Sequence, residues 1–301
     1  MPGGHADMRQ LCRWVAVMAL AIVPAVFADE TKRKDPDFTE TPVPAQYTNE
    51  VSLAMQWGHA LWLNDQASAA ATDVLRDRGL LAGHDHATGW ITTAYDDKQT
   101  QWRVFFTEDD HGATKDFVDM VFDMSNGKAR LIALKPNVPA VTLSAEEQIL
   151  VKARNEALKE PAQRCAKTYN QAVWLVHHPK GWYTMVDLLP ARTDADIYPV
   201  GGFHTFNYGV LDKDTPRHYE QTHACLNLTG PPQGAMDGMF VQHRTSPAPT
   251  KFHVFMSLSY GKTLYVVTTS NNLLWRVDHG TIRLIDSTKG LGHDVVSKLS
   301  D

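Results

Sequence analysis

Two cysteines about 60 residues apart, Cys165 and Cys225, constrain this chain more than any other feature. The N-terminus tells which compartment they occupy. Arg9 and Arg13 form a short basic region, Trp14 to Val23 is an apolar run, and Val26-Phe-Ala28 ends in small residues ahead of Asp29. That order of features predicts a cleavable export signal over residues 1–28, with an apolar run shorter than a membrane span needs. Cys12 leaves with the signal. The two remaining cysteines then sit in an oxidising compartment, which predicts a Cys165–Cys225 disulfide. Closing such a loop stabilises a fold by roughly 4 kcal/mol in the chain-entropy model.

An exported protein of this kind is periplasmic or extracellular. The net charge is −5 with histidine neutral, and Lys and Arg are scattered singly apart from Lys32-Arg-Lys34. No basic stripe is present, so a nucleic-acid partner is not expected. No second long apolar run follows the signal, so no transmembrane segment is expected after cleavage. No cofactor motif occurs.

Residues 29–48 are rich in Pro, Thr and charge and read as a flexible leader. From Asn49 to Arg78 the chain turns rich in Ala, Leu and Gln, and Ala54, Trp57, Leu61 and Trp62 fall at helical spacing. Gly58 is expected to weaken that helix, and Gly79 to end it. Strand formers in 90–95 and 101–107 flank Asp96-Asp-Lys98, and those in 116–124 and 128–134 flank Ser125-Asn-Gly127. Both patterns predict hairpins. Pro136 and Pro139 are expected to mark a linker.

Ser144-Ala-Glu-Glu147 is a capping box, with Ile149, Leu150, Ala153, Ala157 and Leu158 as one apolar stripe. Beyond Cys165 the pattern is nearly all strand, with Phe252 to Leu258 read as one more of them. Turns are expected at 177–181 and 212–216, a loop at 229–238, and a polar tail after Asp286. The fold class is therefore α+β. An N-terminal helix packs on a small antiparallel meander (residues 49–141). A capped helix and a larger antiparallel sheet follow (residues 142–301), as a second part or as one compact unit with the first.

Three constellations could carry chemistry. His84-x-His86 and the pair His177-His178 are metal-ligand residue types at short spacing, but neither has an accompanying carboxylate or thiol motif. His84 and His86 are thus weak metal candidates, and no metal or cofactor is expected. Ser257 and Ser259 lack a nucleophile-elbow context. Aromatic residues lie along the predicted strands, and Trp174, Trp182, Tyr183 and Tyr208 are candidates for a ligand-binding surface.

One stretch resembles a known family. His204 after Gly201-Gly-Phe, followed by Thr222-His-Ala-Cys225-Leu-Asn227, resembles the L,D-transpeptidase signature. This chain has Ala224 where that family carries Gly and Asn227 where it carries Arg. The resemblance implies a peptidoglycan enzyme with Cys225 as nucleophile, His223 beside it and His204 as the upstream motif histidine. A bridged cysteine cannot attack a carbonyl, so nucleophile and disulfide exclude each other. The sequence reading favours the bridge. It makes the chain an exported, non-enzymatic protein that binds an envelope component or another protein, with the transpeptidase-like enzyme as the alternative.

Overall fold

The computed structural model describes residues 38–178, 181–209, 217–220, 224–229 and 238–286, with residues 178 and 220 described by their backbone alone. The predicted signal, the predicted leader up to residue 37, His223, the expected 212–216 turn, most of the expected 229–238 loop and the expected polar tail lie outside the described residues.

The fold is α+β, with an N-terminal helix near its centre. Helix α1 (Ala45–Asp77) runs unbroken through Gly58. Its end is a left-handed glycine stop: Gly79 has φ +63, and Leu80 N donates to Leu75 O at 3.0 Å. Gly58 does not kink the helix because it serves a crossing. A Cβ there would stand 2.4 Å from Val254 Cβ and 2.8 Å from Lys251 O, so the second helix backbone comes in over a bare Cα.

The first sheet is the expected meander, in the order β2 (Ala87–Ala94), β3 (Gln101–Asp110), β4 (Ala113–Asp123), β5 (Arg130–Thr142). Both predicted hairpin turns fall between strands of this sheet. The predicted linker is instead part of β5, where Pro136 and Pro139 are tolerated because β5 is an edge strand of the described sheet and its register with β4 shifts between Pro136 and Val141. One face of the meander buries Trp102, Phe106 and Phe122 against α1. Buried polar groups fix the approach: Asn64 Nδ2 donates to Thr92 O at 3.0 Å, and the Ser68 and Thr92 hydroxyls meet at 2.7 Å.

The opposite face of the meander meets helix α2 (Ala145–Lys159). Its capping box is formed: Glu147 N donates to Ser144 Oγ at 3.2 Å and Ser144 N to Glu147 Oε2 at 2.7 Å. Glu147 Oε1 also accepts from Arg103 Nη1 of β3 at 2.6 Å, which ties the start of the helix to the sheet. The buried stripe is rotated from the predicted one. Leu150, Val151, Ala153, Arg154 and Ala157 are buried, while Ile149 and Leu158 face outward. This core lies between Ile91 and Phe105 of the meander and Val173, Val186, Leu188 and Phe206 of a second sheet.

The second sheet has the order β10 (His218–Glu220), β9 (His204–Gly209), β7 (Gly181–Pro190), β6 (Tyr169–His178) and is antiparallel throughout. A short ladder pairs β8 (Ile197–Pro199) with β11 (Asn227–Thr229). The last and largest sheet has the order β1 (Glu40–Thr41), β15 (Thr281–Ile285), β14 (Leu273–Asp278), β13 (Thr263–Thr268), β12 (Gly238–His243). It is antiparallel except for β12 and β13, which are parallel. β1 shows that the leader is pinned to the sheet from Phe38 onward, and the Phe38 ring packs 4.8 Å from that of Tyr265.

Between β12 and β13 lies helix α3 (Lys251–Tyr260), which replaces the strand expected at 252–258. A parallel pair needs a crossover, and a helix supplies it. Thr250 N donates to His253 Nδ1 at 3.0 Å at its start, and Gly261 closes it at φ +58. Phe252, His253, Val254, Phe255, Met256 and Ser257 are all buried, so no polar stripe marks the helix in sequence.

The predicted disulfide is present. Cys165 and Cys225 are joined, Cα to Cα 5.0 Å, linking the segment after α2 to the segment before β11.

Candidate functional site

The second sheet carries most of the candidate residues, and its pleat divides them between two faces. Trp174 and Tyr183 belong to the face turned toward α1. Trp174 is only 9 % exposed and packs edge-on against Trp57 and Trp102, with centroids 5.4 and 6.1 Å away. Its indole Nε1 donates to Asp187 Oδ2 at 3.0 Å. Asp187 is fully buried, and it also accepts from Thr205 Oγ1 at 2.6 Å and pairs with Lys251 Nζ at 2.6 Å. Trp174 therefore belongs to a buried charge network rather than to a surface.

Trp182 and Tyr208 belong to the other face. Trp182 is 55 % exposed at the hairpin end of β7, its ring set 4.8 Å from that of His177. Tyr208 lines an open groove of about 350 Å³ between the segment after α2 and strands β9 and β10. Glu160, Pro161, Phe206, Arg217 and His218 also line it. The aromatic candidates thus do not converge on one platform.

His218 lines the groove, and a second histidine behind it holds it in place. His204, the upstream histidine of the sequence motif, is fully buried on β9. Its Nε2 lies 2.8 Å from Gln163 O and its Nδ1 3.1 Å from His218 Nε2. A carbonyl only accepts, so His204 Nε2 carries the proton and its Nδ1 is the acceptor. His218 must then donate through Nε2, which leaves its own Nδ1 for another partner. The His218 ring lies flat on Phe206, 4.4 Å between centroids and 5° between planes. That pairing follows from the sheet register, which sets His218 opposite Phe206.

Tyr208 supplies a second polar edge. Its hydroxyl is buried beside Glu160 without closing a well-formed hydrogen bond to it. Burial raises the phenol's pKa, and the Glu160 and Glu156 carboxylates add to that, so the group remains a neutral donor. An aromatic floor with a histidine, an arginine, a phenol and a carboxylate at its edges can hydrogen-bond a small polar ligand while stacking on its apolar part.

The cysteine constellation is not assembled for nucleophilic chemistry. Cys225 is bonded to Cys165, and both nitrogens of His204 are engaged elsewhere. His223 lies outside the described residues. Of the weak metal candidates, His84 holds Glu108 Oε2 through Nδ1 at 2.7 Å and stacks on Phe117, while His86 is exposed. Among the described residues no group of three or more His, Cys, Asp or Glu side chains is placed to hold a metal ion. No described helix is long and apolar enough to cross a membrane.

Sequence reasoning found Tyr208 and His204 but passed over Glu160, Arg217 and His218. These three come from separate segments with no shared motif. The one available signal was that Arg217-His-Tyr219 resumes a strand pattern after Pro216. Comparison with family models, with curated proteins and with solved structures gave no match.

Proposed function

We propose that this chain is an exported, non-enzymatic binding protein that engages an envelope component or a partner protein through the groove of Phe206, Tyr208 and His218. The observation that carries the reading is the His204–His218 pair. A buried, tautomer-fixed histidine holds an exposed one flat against an aromatic ring, which preorganises a recognition edge before any ligand arrives. The disulfide supports the same reading, because it occupies both cysteines outside the signal and suits an oxidising compartment.

Photo-crosslinking in the producing cell tests it. p-Benzoylphenylalanine replacing Tyr208 should give a discrete adduct on irradiation, and the same residue replacing exposed Tyr95 should not. The adduct should disappear in a His218→Ala background. Equal labelling from both positions, or none from position 208, would overturn the groove as the binding site. Transfer or hydrolysis of peptidoglycan fragments that is lost in Cys225→Ala would overturn the non-enzymatic reading.

A further inference from the structure

Arg154 is the most deeply buried Arg or Lys among the described residues, 1 % exposed in the core between the meander and the second sheet. Its hydrogen bonds are well provided. Nη1 donates to Trp90 O at 3.1 Å and more weakly to Thr107 Oγ1 at 3.4 Å. Nε and Nη2 both donate to Asn155 Oδ1, at 3.1 and 3.0 Å. Gly89 makes room for it, since a Cβ there would stand 3.0 Å from Nη1. Its charge is not provided for: among the described residues Arg154 makes no ion pair with a carboxylate. Burial accordingly pushes its pKa down to about 10. A buried ion without a counter-charge is destabilising, and neutral acceptors recover only part of the lost hydration.

The fork on Asn155 leads outward. Two guanidinium donors on one amide oxygen fix the side chain, because only Oδ1 can face them. Nδ2 is left with no hydrogen-bond partner among the described residues, and it is not a buried atom. Asn155 lines an open groove of about 500 Å³ between α2 and strands β4 and β5. Thr114, Thr142, Lys152 and Lys159 share its walls with Glu156, which is paired to Lys152 at 3.8 Å. Lys159 makes no ion pair among the described residues and sits in the last turn of α2. The groove thus offers an amide donor polarised by a buried cation, two hydroxyls and two ammonium groups against one carboxylate.

We propose that this groove binds an oxyanion, carboxylate or phosphate, which accepts a hydrogen bond from Asn155 Nδ2, so supplying a counter-charge to the Arg154–Asn155 pair, and is held at the rim by Lys152 and Lys159. The site is distinct from the histidine groove and does not depend on the function read from it. A ligand hydrogen-bonded to Nδ2 is one side chain away from the guanidinium and strengthens the Arg154–Asn155 bonds by polarising the amide.

Thermal unfolding of the full chain tests the inference, with inorganic phosphate and succinate as separate probes and sodium chloride at matched ionic strength as reference. The melting temperature should rise with phosphate, succinate or both, saturably and above the chloride control. Asn155→Asp places a carboxylate on the Arg154 fork. It should melt higher than the wild type without ligand and bind the anion at least about tenfold more weakly. Lys152→Gln with Lys159→Gln leaves the core untouched and should weaken binding while keeping the fold, so the test stands even if Asn155→Asp misfolds. No response to either probe beyond chloride overturns the inference. So does an unchanged affinity in the double lysine variant. Whichever probe binds tells whether the natural ligand presents phosphate or carboxylate.

Discussion

Lys251 Nζ lies 2.6 Å from Asp187 Oδ1, and that carboxylate has no exposed surface. The pair joins the first turn of α3 to the middle of β7. A lysine at a helix N-terminus opposes the helix dipole, so its position there is explained by the carboxylate and not by the helix. Trp174 and Thr205 complete the set of donors around Asp187.

Breaking this pair from one side should be costly. Asp187→Ala leaves an ammonium facing a buried indole and hydroxyl, and should lose about 3–5 kcal/mol in urea unfolding. Asp187→Leu combined with Lys251→Met should lose much less than either single change. A double variant as weak as the sum of the singles would mean that the two residues act separately.

Gly58→Ala offers a contest of two effects. In an exposed helix the change gains about 1 kcal/mol from propensity. Here the new methyl meets Val254 Cβ at 2.4 Å and Lys251 O at 2.8 Å, and overpacking of this kind costs about 1–3 kcal/mol. The clash should win, with a net loss of stability by chemical denaturation. Val254→Ala should recover part of it, but not all, because the Lys251 carbonyl remains.

How much of the fold was legible follows from which residues carried a local signal. The Ser144–Glu147 box and the Asn126-Gly127 turn each encode their geometry within four residues, and both are found in place. Helix α3 reads as a strand because its middle is buried on every side: Phe252, Val254 and Met256 alternate as they would in a strand. The marks that distinguish it, Thr250 three residues before His253 and Gly261 beyond the end, are visible only if a helix is already suspected. The candidate sites were less legible still. His204 meets His218, and Arg154 reaches Trp90, through sheet register and helix packing that no spacing announces.

Stability should depend on pH through Asp116. This side chain is 3 % exposed, its Oδ1 has no hydrogen-bond partner among the described residues, and Arg103 reaches only its other oxygen, at 3.8 Å. Desolvation first, and then Asp119, pushes its pKa up to about 6 from 3.8. The folded protein therefore holds this proton more tightly than the unfolded chain. Its contribution is fully present below about pH 4 and is lost as pH rises through 6. Asp116→Asn should be more stable than the wild type at pH 7.5, on the order of 1 kcal/mol, with the difference shrinking toward pH 4.5. A difference that does not change with pH would assign the effect to packing.

The disulfide gives a direct measurement. Protein isolated without reductant and denatured should show no free thiol to a chromogenic reagent. Cys165→Ser with Cys225→Ser should lower stability by about 4 kcal/mol relative to the bridged protein. Two titratable thiols in the isolated protein would restore Cys225 as a nucleophile to be tested.

The short strand β1 has a consequence for the topology as a whole. Asp286 N donates to Thr39 O at 2.8 Å, so the first and last described segments leave the body side by side at one sheet margin. Joining position 286 to position 38 by a brief connector and opening the backbone at the Asp97 hairpin would preserve every ladder. The order in which the sheets are threaded is, for this architecture, separable from the shape they make.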